Sequence, residues 1–325
     1  MSSSFPGNAA PADDALADGA TVFDRRQVRR QRDRAAAGFG DHDFLKREIG
    51  ARLAERLGDV KRRFPLALDL GAHDGTLAET LSGVNGIETL VHADLSPAMC
   101  AAARARGLPA VAADEEALPF AAGAFDLVVS ALSLHWVNDL PGALLQLNRV
   151  LKPDGLFLAA MIGGHSLSDL RAAFMEAELA VTGGAAPRVS PMVEVRDAGA
   201  LLQRAGFALP VADGDRVTVT WPDPLTAMRE LQAMAEGNAM AARHRAPMRR
   251  EVLLHAASLW LDRCADAQAR LTVDFDIVWL TGWHPDPGQQ QPLRPGSAKT
   301  RLADALGTDE FRLPSGPPAG RDGTD

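Results

Sequence analysis

Leu45, Ile49, Leu53 and Leu57 stand four residues apart and predict an amphipathic helix. Pro65-Leu-Ala-Leu-Asp-Leu70 follows as a short apolar run that stops at Gly71, the pattern of a buried strand and a turn. Comparable runs at residues 88–93, 109–113, 125–130 and 155–162 predict further strands, the last behind a Lys152-Pro-Asp-Gly155 turn. Asp94-Leu-Ser-Pro97 opens a helix, with Ser96 as N-cap and Pro97 in the first helical position. Apolar strands alternating with helices predict an α/β fold, a doubly wound and mostly parallel sheet. Right-handed crossovers then gather every strand's C-terminal end on one rim, where ligands bind at the switch in strand order.

Beyond residue 165 the pattern changes. A helix over 165–179 leads into the Gly/Pro-rich TGGAAPRVSP, and Asp197 reads as the cap of a helix that stops at Gly206. Residues 215–221 alternate strictly, so one face of that strand is exposed. Helices near 223–236 and 246–263 precede a last strand at 271–281. The two late strands fit antiparallel additions to the sheet edge, with helices inserted between them. Residues 1–20 and 308–325 lack periodicity and read as disordered tails. Between them lie an N-terminal helical lid (21–64), a ligand-binding core (65–164) and a C-terminal part of the same domain for substrate or partner (165–307).

Composition narrows the classes. With 46% hydrophobic and 23% charged residues the chain is globular, and a net charge of −8 argues against nucleic acid as partner. No apolar run is long enough for a membrane span. The start shows no basic segment followed by an apolar one, so no secretory signal is expected. Cys100 and Cys264 stand far apart without a CxxC partner, which predicts a reducing compartment and a cytoplasmic protein without structural zinc. The run FDRRQVRRQRDRA carries Arg25, Arg26, Arg29, Arg30, Arg32 and Arg34 nearly all round a helix. It is either a solvated helix pairing with carboxylates of the body, or a lid over an acidic pocket or dock for an acidic partner.

Three acidic positions fall on the ligand rim. The first strand ends Asp69-Leu-Gly-Ala-His-Asp-Gly75, where Gly71 lets the chain turn away and Gly75 starts a helix with free N–H groups. Asp94 ends the second strand, near the ~20-residue spacing at which a carboxylate accepts both ribose hydroxyls. Asp114 and Glu115 follow the third strand, placed to accept from an adenine amino group. A dinucleotide wants G-x-G-x-x-G, whereas His73 fills a glycine position here. S-adenosyl-L-methionine, which has no phosphates, suits the set better; the competing reading is that these acids are caps or solvated loop residues. His135, beside Trp136, is a candidate base but more simply a pocket wall, and His165 is a weaker case. His92-Ala-Asp94 with His73 has the skeleton of a two-His-one-carboxylate metal site, against which stand the ribose role of Asp94 and the fold. No metal is expected. Trp279, Trp283 and His284 lie at or after the last strand and lean towards a partner surface over edge packing, while Met228, Leu231, Met234 and Ala235 read as core.

DLGAHDGTLA, HADLSPAM, ADEEALPF, FDLVVSALSLHWVNDLPGAL and LKPDGLFLAAMIGG together resemble the class I S-adenosylmethionine-dependent methyltransferases, with their Rossmann-like fold. FDRRQVRRQRDRAA, FLKREIGARLAERL, GGHSLSDLRAAF, SPMVEVRDAGALLQRAGF, LTAMRELQAMAEGNA and GWHPDPGQQQPLRPGSA narrow this. They resemble the complex I assembly factor 5 family, described as methyltransferase or protein-arginine hydroxylase. More distant is the resemblance to the malonyl-acyl-carrier-protein methyltransferase of biotin synthesis. The resemblance implies that Asp69, Gly71 and Gly75 line the methionine end of the cofactor, Asp94 the ribose, and Asp114 with Glu115 the adenine. Leu95 and Met99 would pack near the adenosine or serve as ordinary core contacts. Ser130 to Leu134 would face the methyl group and the substrate. His73 departs from the usual glycine and puts cofactor affinity in question. The implied substrate is a protein, such as a complex I subunit, or an acyl carrier; a silent assembly chaperone is the alternative of another class.

Overall fold

The computed structural model describes residues 21–289, 297 and 300–309. The tails expected over 1–20 and, apart from 308 and 309, over 308–325 lie outside them. Residues up to Asp286 belong to one compact unit and those from Pro287 to a second, whose described helix is Leu302–Leu306.

Two helices come first, α1 (Arg25–Ala35) and α2 (Phe44–Gly58). Leu45, Ile49, Leu53 and Leu57 of α2 are all fully buried, as their period predicts. The parallel strands are β1 (Leu66–Leu70), β2 (Thr89–Asp94), β3 (Ala110–Ala112), β4 (Phe125–Ala131) and β5 (Leu151–Gly163). Between them run the short α3 (Ala78–Leu81), α4 (Pro97–Ala105) and α5 (Leu140–Val150). Then come α6 (Ser168–Thr182), α7 (Val195–Arg204), β6 (Ala208–Trp221), α8 (Pro224–Ala233), α9 (Arg250–Cys264) and β7 (Leu271–Trp283). The sheet order is β3-β2-β1-β4-β5-β7-β6, with β7 antiparallel to both neighbours. The order reverses between β1 and β4, so the ligand crevice lies at the ends of those strands.

Adjacent strand residues feed opposite faces. Ala67, Leu127, Val129 and Trp279 pack with α2, α6 and α9, whereas Leu68, Val128 and Phe157 pack with α5 and α7. On β6, the edge, no such double burial occurs, and exposed positions alternate with half-buried ones. Charged pairs blunt this edge: Arg216 donates to Asp276 at 3.1 Å and Arg56 to Asp213 at 2.7 Å.

Several expectations are corrected. Lys152-Pro-Asp-Gly155 is not a turn before a strand; β5 already pairs at Leu151 and bulges before Leu156, with Asp154 at φ 59°. Asp197 sits inside the first turn of α7, after Glu194 at the N-cap position. Gly75 does not start a helix: it lies in a turn, and α3 begins only at Ala78 and is four residues long. Trp279 forms no partner surface. It is fully buried, with the Arg56 guanidinium stacked 4.2 Å from its ring centre, because β7 is an interior strand covered on both faces.

Candidate functional site

Each acid at the rim is delivered by the end of its strand. Asp94 closes β2 and is fully buried. Its Oδ1 accepts from Ser96 N at 2.7 Å and its Oδ2 from His73 N at 2.9 Å, so it ties the turn after β1 to the start of α4. Ser96 caps α4 by accepting from Met99 N. Asp114 and Glu115 follow β3; Glu115 is fully buried and the Asp114 side chain about a third exposed. Gly71, at φ 69°, has no room for a side chain: a Cβ there would fall 2.0 Å from Ser133 Oγ.

Cations from the two N-terminal helices meet these acids. Arg32 of α1, 1% exposed, donates to Asp94 Oδ2 at 3.2 Å, to Glu115 Oε1 at 2.9 Å and to Ser133 Oγ at 2.8 Å. Arg25 donates to Asp114 Oδ1 at 2.5 Å, to Glu115 and to the Trp136 carbonyl. Lys46 of α2 spends its ammonium on the Gly71 carbonyl (2.8 Å), the Ala131 carbonyl (2.9 Å) and His73 Nδ1 (3.0 Å). It therefore bridges the ends of β1 and β4 across the switch point. Burial alone would raise the Glu115 carboxyl, but Arg32 and Arg25 outweigh it and hold it at about 2. For Asp94 burial wins over Arg32, and its carboxyl is pushed up. Burial, then Lys46 and Arg32, drive His73 well below its ordinary value, so the ring is neutral, stacked on Phe39 at 4.7 Å. Lys46 is likewise lowered by burial, partly offset by Asp69 and Asp94.

The other expected site residues divide. Asp69 is fully buried and pairs with His92 Nδ1 at 3.0 Å, leaving Oδ1 without a partner. His92 is thus paired with Asp69, and among the described residues no group of three metal-ligating side chains forms. Ser130 Oγ is buried without a partner. Met99 is a fully buried core residue, whereas Leu95 packs beside Phe23, Val28 and Trp136 under α1. Gly75 faces Leu108 and Ala103 instead of an open cleft. His165 is exposed, away from the acids.

A mostly apolar cavity of about 480 Å³ has walls that include Trp136, Leu170, Phe174, Met228, Leu231 and Glu236. Glu236 Oε2 receives both His135 Nε2 (2.9 Å) and Trp136 Nε1 (3.1 Å). The same carboxylate borders the residual space of about 10 Å³ around Lys46, His73 and Leu132, so it stands between cavity and cleft. His135 is thus a buried anchor for Glu236, which with Trp136 lines the cavity.

Lys46 and Glu236 are the residues that sequence reasoning does not single out; Arg25 and Arg32 fall within the arginine run and Ser133 within the segment 130–134, none with its own partner assigned. Arg25 and Arg32 share a helix face with Val28, the one buried apolar residue of α1, and that lone valine in a charged run is the signal that marks the face. The donor set suits a nucleoside: a buried acid at the end of β2, a glycine turn after β1 and an acid pair after β3. The room for one is held by Arg32 and Lys46.

A methyltransferase domain family matches residues 68–159. The zebrafish (Danio rerio) protein named arginine-hydroxylase NDUFAF5, mitochondrial, is 42% identical over 290 residues, 88% of this chain and 90% of that one. The human protein of the same name is 39% identical, over 91% of this chain and 86% of its own. A malonyl-[acyl-carrier protein] O-methyltransferase of Laribacter hongkongensis is 32% identical, over 84% and 94%. Among solved structures, Haemonchus contortus phosphoethanolamine N-methyltransferase 2, crystallised with S-adenosylhomocysteine and phosphomonomethylethanolamine, shares the fold. It is 17% identical, with a TM-score of 0.52 over 80% of this chain and 60% of that one. With identity this high across nearly the whole length, the chain belongs to the NDUFAF5 arginine-hydroxylase family, a branch of the S-adenosylmethionine-dependent methyltransferase superfamily.

Proposed function

We propose that this protein takes S-adenosylmethionine at the rim formed by Gly71, Asp94, Asp114 and Glu115, and modifies a side chain of a protein during assembly of respiratory complex I. The observation that carries the reading is Asp94. A fully buried carboxylate, oriented by two backbone N–H groups and turned to the cleft at the end of β2, is the group that binds a ribose diol in this fold. Bound there, the cofactor supplies a sulfonium-activated methyl group. Asp94 holds the ribose, Asp114 and Glu115 serve the adenine end, and the turn that starts at Gly71 contains the amino-acid end. Glu236, fixed by His135 and Trp136, presents a carboxylate where the apolar cavity meets the cleft. A cationic side chain with an aliphatic stem fits that junction, and arginine is the acceptor in the relatives' name.

That name favours a second reading on the same site, hydroxylation instead of methyl transfer: one atom of dioxygen enters an acceptor C–H bond and the other leaves as water, with an external two-electron donor as co-substrate. Intact-mass analysis of complex I subunits from a strain lacking this protein decides. Loss of about 14 Da from one subunit means methylation and loss of about 16 Da means hydroxylation. Unchanged masses contradict both and leave a silent assembly role.

A further inference from the structure

Helix α1 is bound to the body by an unusual balance of contacts. Val28 is its one buried apolar side chain; the rest of its hold is polar. Arg32 and Arg25 grip the rim acids, Asp33 accepts from Ser96 Oγ at 2.6 Å, and Gln31 donates to the Asn238 carbonyl at 3.0 Å. The opposite face of α1 points Arg26, Arg29, Arg30 and Arg34 into solvent. Phe23 and Phe39, both buried, anchor the chain on either side of the helix, with Gly38 and Gly40 flanking Phe39 in open space. The guanidinium of Arg32, 1% exposed, lies on the same Asp94 oxygen that receives His73 N and is closed in on its other side by Glu115 and Ser133. A nucleoside and Arg32 cannot share this place.

We infer that α1 is a built-in gate: Arg32 is an internal competitor for the nucleoside, and cofactor binding and the docked position of α1 are mutually exclusive. The inference rests on the reading that the cleft takes S-adenosylmethionine. The exchange is chemically even-handed. Asp94 and Glu115, both fully buried under α1, exchange their guanidinium partners for water when it departs alone. An incoming cation that brings ribose hydroxyls to Asp94 satisfies the same acids, so its arrival and the release of Arg32 are coupled. Because a small apolar contact and buried ion pairs hold α1, its docked state has little surplus stability. Ion pairs of this kind set position more than they add stability. The gate is closed in the free protein, and only the open fraction binds.

Hydrogen exchange on the full chain, with and without saturating S-adenosylmethionine, tests this by sign. The gate requires amides of Arg25–Ala35 to exchange faster with the cofactor bound. Slower exchange means α1 closes over the cofactor and overturns the inference while leaving the cofactor reading intact. Calorimetric titration of Arg32→Met against wild type is the second arm. Removing the competitor is expected to tighten binding by roughly tenfold or more, whereas weaker binding makes Arg32 a cofactor contact and overturns the gate. Binding to Arg32→Met with none to wild type supports it strongly. Absence of binding to both proteins removes the cofactor reading, and the gate with it.

Discussion

Arg32 Nη1 lies 3.2 Å from Asp94 Oδ2, with both side chains withdrawn from water although they are 62 positions apart in the chain. This pair joins the first helix to the end of the second strand and occupies the position that the proposed nucleoside would take. Val28, by burial, adds only roughly 1.5–3 kcal/mol to the docking of α1. Replacing Arg32 by Met is therefore expected to loosen α1 alone, since Asp94 and Glu115 regain water when it lifts. Urea unfolding of the body should shift by no more than about 1 kcal/mol, against the ~3–5 kcal/mol that follows when a buried partner is lost from a rigid site.

Gly71 serves the turn in two ways, by its positive φ and by its contact with Ser133. Gly71→Ala brings backbone strain of about 1–2 kcal/mol and a steric overlap that displaces Ser133 from Glu115 and Arg32. Adding Ser133→Gly removes the overlap and leaves the strain. Chemical denaturation should show the double variant recovering part of the loss; no recovery would mean the overlap has no weight.

His73 gives the fold a dependence on pH. Its folded pKa is depressed, so the stability linked to its neutral ring is present above the unfolded value of about 6.5 and is lost as pH falls below it. The unfolded chain takes up the proton that the folded one refuses. Glu115, held near 2 against 4.5, adds a loss of the same sign at lower pH, as the unfolded carboxyl protonates first. His73→Asn keeps a residue that tolerates φ 53° but does not titrate. Thermal melting between pH 6.5 and 5 should fall less steeply for this variant than for wild type.

Much of this architecture is legible along the chain. The apolar runs ending at Gly71, Asp94 and Asp114 announce parallel strands and acids on one rim, and the structure links Asp94, Asp114 and Glu115 through Arg32 and Arg25. The arginine run is another matter. Arginines all round α1 give no phase, so only tertiary contact selects Arg25 and Arg32 for the cleft and leaves the others in solvent. Lys46 hides one position from the Leu45 stripe, where a lysine normally snorkels outward. Trp279 misleads for a related reason: alternation and a Pro-rich sequel suggest an edge, but β6 covers β7 and makes that position core. Trp279→Ala should cost about 3–5 kcal/mol in unfolding experiments and leave cofactor affinity unchanged.

Glu236 gathers its hydrogen bonds from His135 and Trp136 on one oxygen, and so faces both compartments with a fixed charge. Glu236→Gln keeps an acceptor for one of these donors and removes the charge. The protein should remain folded and bind S-adenosylmethionine as before. In a complemented deletion strain, the modified fraction of the acceptor subunit should fall roughly tenfold or more, the loss expected when a charged hydrogen bond is removed. Full modification would mean that Glu236 only supports the pocket wall.

Calorimetric titration of S-adenosylmethionine into the wild-type chain and into Asp94→Asn bears most directly on the nucleoside pocket. Saturable binding with one site per chain, weakened at least about tenfold by the substitution, is the result that the geometry of β2 and its terminal carboxylate predicts. Equal affinity for the two proteins, or no heat of binding with either and none with Arg32→Met, would contradict it.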